Sequence, residues 1–260
     1  MCKVIQSNNN AFAFTGDIHG EFSDFVYHLT NTLKLTDINI VICGDFGIGF
    51  YKLNYYKTLF KKLNKKLKNN NLHLYAFRGN HDDPMYFSDK DIIDDVLSGI
   101  EHIHLVDDYS IIKNDNHSIL CIGGARSIDK CNRWKWDKIK QIQVADGWWP
   151  DENIKPIPND FNINSDIDII CSHSAPNFCE PLSKSGLDFW AKYDETLIED
   201  CDNERKLLTD VYRTIKQHNN IKYWFYGHFH HSYTMINDDV IFKCLDRFDG
   251  FTKCDIYMIY

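Results

Sequence analysis

The chain has 260 residues, 43% of them hydrophobic and 25% charged, with a formal net charge of -8. That is the composition of a globular protein able to bury a substantial core, and the negative balance argues against an extended, sequence-independent nucleic-acid surface. No apolar run approaches the ~20 residues of a membrane helix, the N-terminus lacks a signal-peptide apolar stretch, and nine cysteines without a C-x-x-C pair read as buried free thiols of a cytoplasmic protein.

The first strand-like run, Ala11-Phe12-Ala13-Phe14, leads into Gly16-Asp17-Ile18-His19-Gly20. An Asp and a His two residues apart at a strand end can aim at one point, and carboxylate with imidazole is a usual donor pair for a divalent metal. Residues 21–35 then carry Phe22, Phe25, Val26, Leu29 and Leu33 at helical spacing. A second strand, Ile38–Cys43, runs into Gly44-Asp45-Phe46-Gly47. A second helix over 53–68 sets Tyr56, Leu59, Phe60 and Leu63 on one face and six lysines on the other, which reads as a solvated outer face. A third strand, Leu72–Phe77, ends in Arg78-Gly79-Asn80-His81-Asp82.

This alternation predicts crossover helices and parallel pairing in the first half. From Ile100 to Ile122, three short runs separated by turns predict an antiparallel meander. Residues 124–165 are irregular and rich in tryptophan (Trp134, Trp136, Trp148 and Trp149), a length more usual for a functional loop or cap than for a connection. The tryptophans read first as anchors for that loop and second as a base-stacking wall. A fourth ligand-bearing strand, Ile167–Cys171, ends at Ser172-His173, and 175–202 is again irregular. A helix is expected over 203–218. A fifth such strand, Ile221–Tyr226, runs into Gly227-His228-Phe229-His230; if extended, the two histidines face the same way. Strands are expected over 233–236, 240–245 and 255–259. No linker or repeat divides the chain, so one domain spanning 1–260 is expected.

Five strands thus end in Asp, His or Asn, and strand ends on one sheet edge are where layered α/β proteins bind ligands. Gly-Asp-x-His-Gly, Gly-Asp, Gly-Asn-His-Asp, a lone His and Gly-His-x-His, in that order from Gly16 to His230, resemble the calcineurin-like metallophosphoesterase superfamily. The blocks cover most of the chain, and the ordered set is far more specific than any one block.

The resemblance implies an α/β fold, a β-sandwich flanked by helices in four layers. It implies two divalent ions, manganese foremost, with iron, zinc, nickel or cobalt also compatible. Asp17, His19, Asp45 and His230 would hold one ion; Asp45, Asn80, His173 and His228 would hold the other, with Asp45 bridging. His81 would act near the leaving group, as general acid or as donor to the transferring phosphoryl, with Asp82 or Asp83 a candidate to orient its ring. A phosphate site also wants arginine; Arg126 and Arg78 are the first candidates and Arg133 ranks below them.

The second block lacks the Asp and Arg of the protein-phosphatase pattern Gly-Asp-x-x-Asp-Arg-Gly. The chain is closer to bacterial and phage-type members that pair Gly-Asp-Phe-Gly with a later Gly-Gly-Ala, here Gly123-Gly124-Ala125, and a Trp-Trp segment. The expected reaction is hydrolysis of small phosphomonoesters of nucleotide or phosphoprotein type by a metal-bridging hydroxide. The alternatives are a phosphodiesterase on cyclic or oligomeric nucleotides and, behind it, a non-catalytic scaffold.

Overall fold

The computed structural model describes residues 3–7, 9–137, 142–145, 147–250 and 254–260. Two sheets face each other. In the first, β2 (Ala11–Thr15), β3 (Ile38–Ile42), β4 (His73–Phe77) and β5 (Ile103–Val106) run parallel, and β14 (Tyr257–Ile259) lies antiparallel on the β2 edge, giving the order β14-β2-β3-β4-β5. The second is built, from one edge to the other, of β1 (Val4–Gln6), β6 (Ser110–Lys113), β7 (Ser118–Ile122), β10 (Ile169–Ser172), β11 (Tyr223–Tyr226), β13 (Val240–Cys244) and β12 (Tyr233–Asn237). Its central run β7-β10-β11-β13 is parallel.

Side-chain alternation along the strands builds the layers. Phe12, Phe14, Val41, Cys43, Tyr75 and Phe77 point inward and meet Ile119, Cys121, Ile169, Cys171 and Phe225 of the facing sheet. Phe14 stacks on Phe225 with ring centroids 4.1 Å apart and planes 9° from parallel. The alternate residues Ala13, Ile40, Ile42, Leu74 and Ala76 point outward, under α1 (Phe22–Tyr27) and α2 (Leu53–Asn69). On the far side Leu120, Ile170, Trp224 and Phe242 pack under a helix over Leu197–Lys216 through its Leu208, Val211, Tyr212 and Ile215. The result is helix, sheet, sheet, helix, the expected fold class.

Four details differ from the sequence reading. The helix after β2 changes at His28 into a π-helical segment, His28–Thr32. The run ending at Val106 joins β4 in parallel, so the meander is reduced to the β6–β7 hairpin and the chain changes sheet at Asp107-Asp108. The connection from 124 onward contains a short helix, Lys130–Arg133, and a two-stranded hairpin, β8 (Trp134–Asp137) with β9 (Ile142–Ala145); the side chains of Trp134 and Trp136 lie outside the described residues. The helix expected from 203 begins at Leu197, because Leu197 is buried against the core while Glu199 and Asp200 suit a helical first turn. Among the described residues no helix is long and apolar enough to cross a membrane.

Replacing Phe225 with Ala removes the ring that bridges the two sheets. It should lower stability by about 3–5 kcal/mol, measured by denaturant unfolding.

Candidate metal centre

The ends of β2, β3, β4, β10 and β11 deliver the five blocks to one place. Asp17, His19, Asp45 and His230 each offer a ligand atom, all within 4.8 Å of one another. His230 Nε2 lies 3.0 Å from Asp17 Oδ2 and 3.1 Å from His19 Nε2. His19 Nε2 is 3.6 Å from Asp17 Oδ2 and 3.9 Å from Asp45 Oδ2. Beside this group stands a second one. His173 Nε2 is 3.2 Å from Asp45 Oδ1 and 3.1 Å from Asn80 Oδ1, and His228 Nδ1 is 3.0 Å from the same amide oxygen. The two oxygens of Asp45 therefore face different groups.

The backbone that holds these side chains is unusual. His19, Asp45, His228 and His230 all have positive φ, between 46° and 64°, a region costly for residues with a Cβ and concentrated at functional sites. The extended His228–His230 geometry expected from sequence is thus replaced by left-handed turns. These send His228 to the Asn80 side and His230 to the Asp17 side. Two glycines are dictated by space rather than by dihedral freedom. A Cβ on Gly79 would come within 2.1 Å of Asp45 Oδ1, and one on Gly227 within 2.2 Å of Asp17 Oδ1.

Hydrogen bonds fix the donor atoms. Asp45 Oδ1 accepts from the His81 amide at 2.7 Å, and Asp17 Oδ1 from the His228 amide at 2.9 Å. The other oxygens, Asp17 Oδ2 and Asp45 Oδ2, are buried and make no well-aligned hydrogen bond among the described residues, Asp17 Oδ2 having only the 3.0 Å approach of His230 Nε2. His173 Nδ1 donates to the Cys43 carbonyl at 2.8 Å, which leaves Nε2 facing the cluster. Asn80 Nδ2 donates to Ser127 Oγ at 2.9 Å, and Ser127 in turn donates to Glu152 Oε2 at 2.6 Å, so the amide oxygen points at His173 and His228. Carboxylate oxygens short of partners, the His173 imidazole held by its far nitrogen and an oriented amide oxygen make a donor set that fits divalent cations.

The electrostatics agree with that fit. Burial acts to raise Asp17 and Asp45, but the surrounding histidines, His173 foremost, outweigh it and hold both below the usual carboxylate range. Burial would lower His173; Asp45 and Asp17 more than reverse this and lift it to about 9. Burial, with Lys184 and His173 nearby, holds His228 well below its usual value. Burial also brings His81 down to about 4, Asp45 opposing and Arg133 adding to the push.

His81 stands next to the cluster, its ring 5.1 Å from that of His19. Neither Asp82 nor Asp83 orients it. The Asp82 carboxylate turns away and accepts from the amides of Phe46, Gly47, Ile48 and Gly79 at 2.6–3.0 Å, clamping the second block to the third. Asp83 Oδ1 accepts from the Met85 amide at the start of the next helical turn, Met85–Ser88.

The arginines fall in a different order from the expected one. Arg78 is buried, with its donors directed to Asp108 and to the carbonyls of Asp151, Glu152 and Asn153; it pins the 151–153 segment and is not offered to a ligand. Arg126 pairs with Asp200 at 3.3 Å. Arg133 is the one beside His81, its Nη atoms 2.6 and 2.8 Å from the two ring nitrogens. Lys184 also reaches the site, donating to the His228 carbonyl. Sequence reasoning gave no role to Ser127, Glu152 or Lys184. Ser127 stands two residues after Gly123-Gly124-Ala125 and Glu152 three after Trp148-Trp149, whereas Lys184 carries no local signal.

The family model described as calcineurin-like phosphoesterase matches residues 11–232. No curated protein matches the chain significantly. Among solved structures, TT1561 of Thermus thermophilus is similar, with 13% identity, a TM-score of 0.52, and 92% of this chain and 90% of that one covered. A phosphopantetheinyl hydrolase from Mycobacterium tuberculosis has 13% identity and a TM-score of 0.45, covering 91% and 89%. An archaeal phosphodiesterase has 12% identity and a TM-score of 0.39, covering 96% and 99%. At these identities the likeness concerns the fold alone.

Two expected outcomes test the centre. Below about 9 His173 holds a proton in the metal-free protein, and Nε2 must lose it before donating to a cation. Metal affinity should therefore rise with pH up to about 9, with proton release on binding. Calorimetry in buffers of different ionisation enthalpy reads both, and a pH-independent affinity above neutral pH would contradict the assignment of His173. Glu152→Ala, which frees the Ser127–Asn80 chain, should weaken binding by about 10- to 100-fold, measured by titration with manganese.

Proposed function

The chain belongs to the calcineurin-like phosphoesterase family, and on that premise we propose that it is a dinuclear metal-dependent phosphoesterase acting on small phosphorylated substrates. The observation that carries the proposal is the Asp45 carboxylate, set between two donor groups with one oxygen toward His19 and the other toward His173. In this reading Asp17, His19, Asp45 and His230 hold one cation; Asp45, Asn80, His173 and His228 hold the other. A pair of divalent cations would polarise the phosphoryl group and lower the pKa of water to give a nucleophile near neutral pH. Manganese is the first choice, and a cytoplasmic setting suits the free thiols.

The protein's own residues supply the rest. In this reading His81 would donate an N–H to the phosphoryl or leaving oxygen once Arg133 releases one of its ring nitrogens. As burial holds its ring neutral, the donor role fits better than that of an acid already charged in the resting protein. Phosphomonoesters lead as substrates. The diesterase reading is favoured by one feature: Phe50 and Trp149 stand together, ring centroids 6.0 Å apart, with Phe50 6.4 Å from His81. An aromatic wall beside the leaving-group histidine suits a nucleoside.

Hydrolysis of p-nitrophenyl phosphate and bis-p-nitrophenyl phosphate, after chelation and re-addition of Mn²⁺, tests the proposal. Metal-dependent release is expected, faster from the monoester; faster release from the diester selects the second reading, and none from either sinks both. Asp45→Asn should abolish activity and reduce bound metal. His81→Ala should keep metal and slow turnover by roughly 10²–10⁴-fold; full activity on a poor leaving group would remove His81 from the mechanism.

A further inference from the structure

We propose that Arg133 and Lys184 form a two-cation clamp over the donor cluster that grips the non-bridging oxygens of a phosphoryl group and favours phosphomonoester dianions over diesters. The proposal rests on the phosphoesterase reading and assigns the substrate class of that site. The two side chains come from separate connections. Arg133 ends the short helix Lys130–Arg133, in the segment after β7, and Lys184 lies in the segment after β10. They meet the cluster at different histidines, Arg133 at His81 and Lys184 at His228.

The guanidinium of Arg133 is held in place without being fully matched. Its Nε pairs with Asp129 at 2.8 Å and its Nη1 donates to the Gly147 carbonyl at 3.1 Å, which fixes its height over the site. Its two Nη atoms face the two nitrogens of the His81 ring. A neutral imidazole has one acceptor nitrogen and a protonated one has none. At least one of these contacts is therefore donor against donor, and a planar fork so placed is ready for an anion with two oxygens to offer.

Lys184 is likewise underused. Its ammonium has three donors, and among the described residues its protein acceptor is the His228 carbonyl, with His228 Nδ1 3.4 Å away. No carboxylate among the described residues ion-pairs with it within 4.0 Å; burial, with Arg133 nearby, lowers its pKa from the usual lysine value, while Asp17, Asp45 and Asp129 act through space to keep its charge. Together with His230 and Arg247, and with the acidic Asp246 and Asp249, it lines a cleft of about 390 Å³ that opens to solvent beside the cluster. The other arginines weighed for this task, Arg78 and Arg126, are engaged by Asp108 and Asp200. A monoester carries up to two negative charges near neutral pH and a diester one, so two added cations reward the monoester more.

The test uses the charge-removing variants Arg133→Gln and Lys184→Gln, each checked for metal content, with inorganic phosphate as calorimetric probe. Each should bind phosphate about 10- to 100-fold more weakly than the parent, the effect of losing one charge-assisted hydrogen bond. In each, kcat/KM should fall further for p-nitrophenyl phosphate than for bis-p-nitrophenyl phosphate. Unchanged phosphate affinity, or equal losses on both esters, would overturn the clamp. If Lys184→Gln loses metal, Lys184→Arg decides: it keeps the charge and the donor to the His228 carbonyl, so parental phosphate affinity supports the proposal and a loss like that of Gln refutes it. A parent protein inactive on both esters would sink the phosphoesterase reading, while the phosphate titration would still report on the clamp.

Discussion

Two carboxylates buried in the protein interior set the terms for everything around them. Asp17 and Asp45 sit at the ends of neighbouring strands with almost no solvent, where an isolated charge is very costly. The chain answers with backbone amides and imidazoles. Asp45 is the busiest position. Its carboxylate accepts from His81, and its own carbonyl accepts from the amides of Ile18 and His19. It also adopts the left-handed conformation that turns its side chain inward. One residue thereby joins the first, second and third blocks. The parallel strands β2, β3 and β4 exist, for the purposes of the site, to hold these turns within reach of each other.

The strain at four cluster residues is sustained because the surroundings over-determine it. Asp82 is the clearest example: four amides converge on one carboxylate, locking the second block against the third. Burial, with Asp45 nearby, raises that carboxyl to about 6, so the clamp and the cluster share one electrostatic field. The Glu152–Ser127–Asn80 chain does the same for a neutral donor, fixing which end of an amide faces inward. In both cases a residue that touches no ligand determines where a ligand atom can be.

What could be read from the sequence is what repeats in a local pattern. Apolar runs ending in Gly with Asp, Asn or His marked five strands and their shared edge, because strand ends and sharp turns leave compositional traces. Pairing across the sandwich leaves weaker traces. The run at Ile103–Val106 looks the same whether it closes one sheet or opens the next. The arginines show the limit best. Arg78 follows a strand directly, a position that suits a buried ion pair as readily as a phosphate contact, and its fork matches Asp108 and three carbonyls of the distant 151–153 segment. Arg133 and Lys184 reach the site only because two irregular connections fold back over it, and irregular segments have no periodicity to read. The turn at His228–His230 escaped the alternation rule for a related reason: alternation assumes an extended chain, and His228 and His230 adopt positive φ instead.

The pairing of β14 with β2 carries a consequence for how the molecule is made. The strand that presents Asp17 is synthesised long before Tyr257–Ile259, which covers its open edge. During vectorial synthesis β2 therefore waits as an unprotected edge, with β3 as its only sheet neighbour, while the donors at 173, 228 and 230 have yet to emerge. Nascent chains in this state present apolar strands without partners. The complete Asp, His and Asn cluster and the closed first sheet thus both wait on segments made after the helix Leu197–Lys216, and a chain that ends short of them carries only part of the cluster.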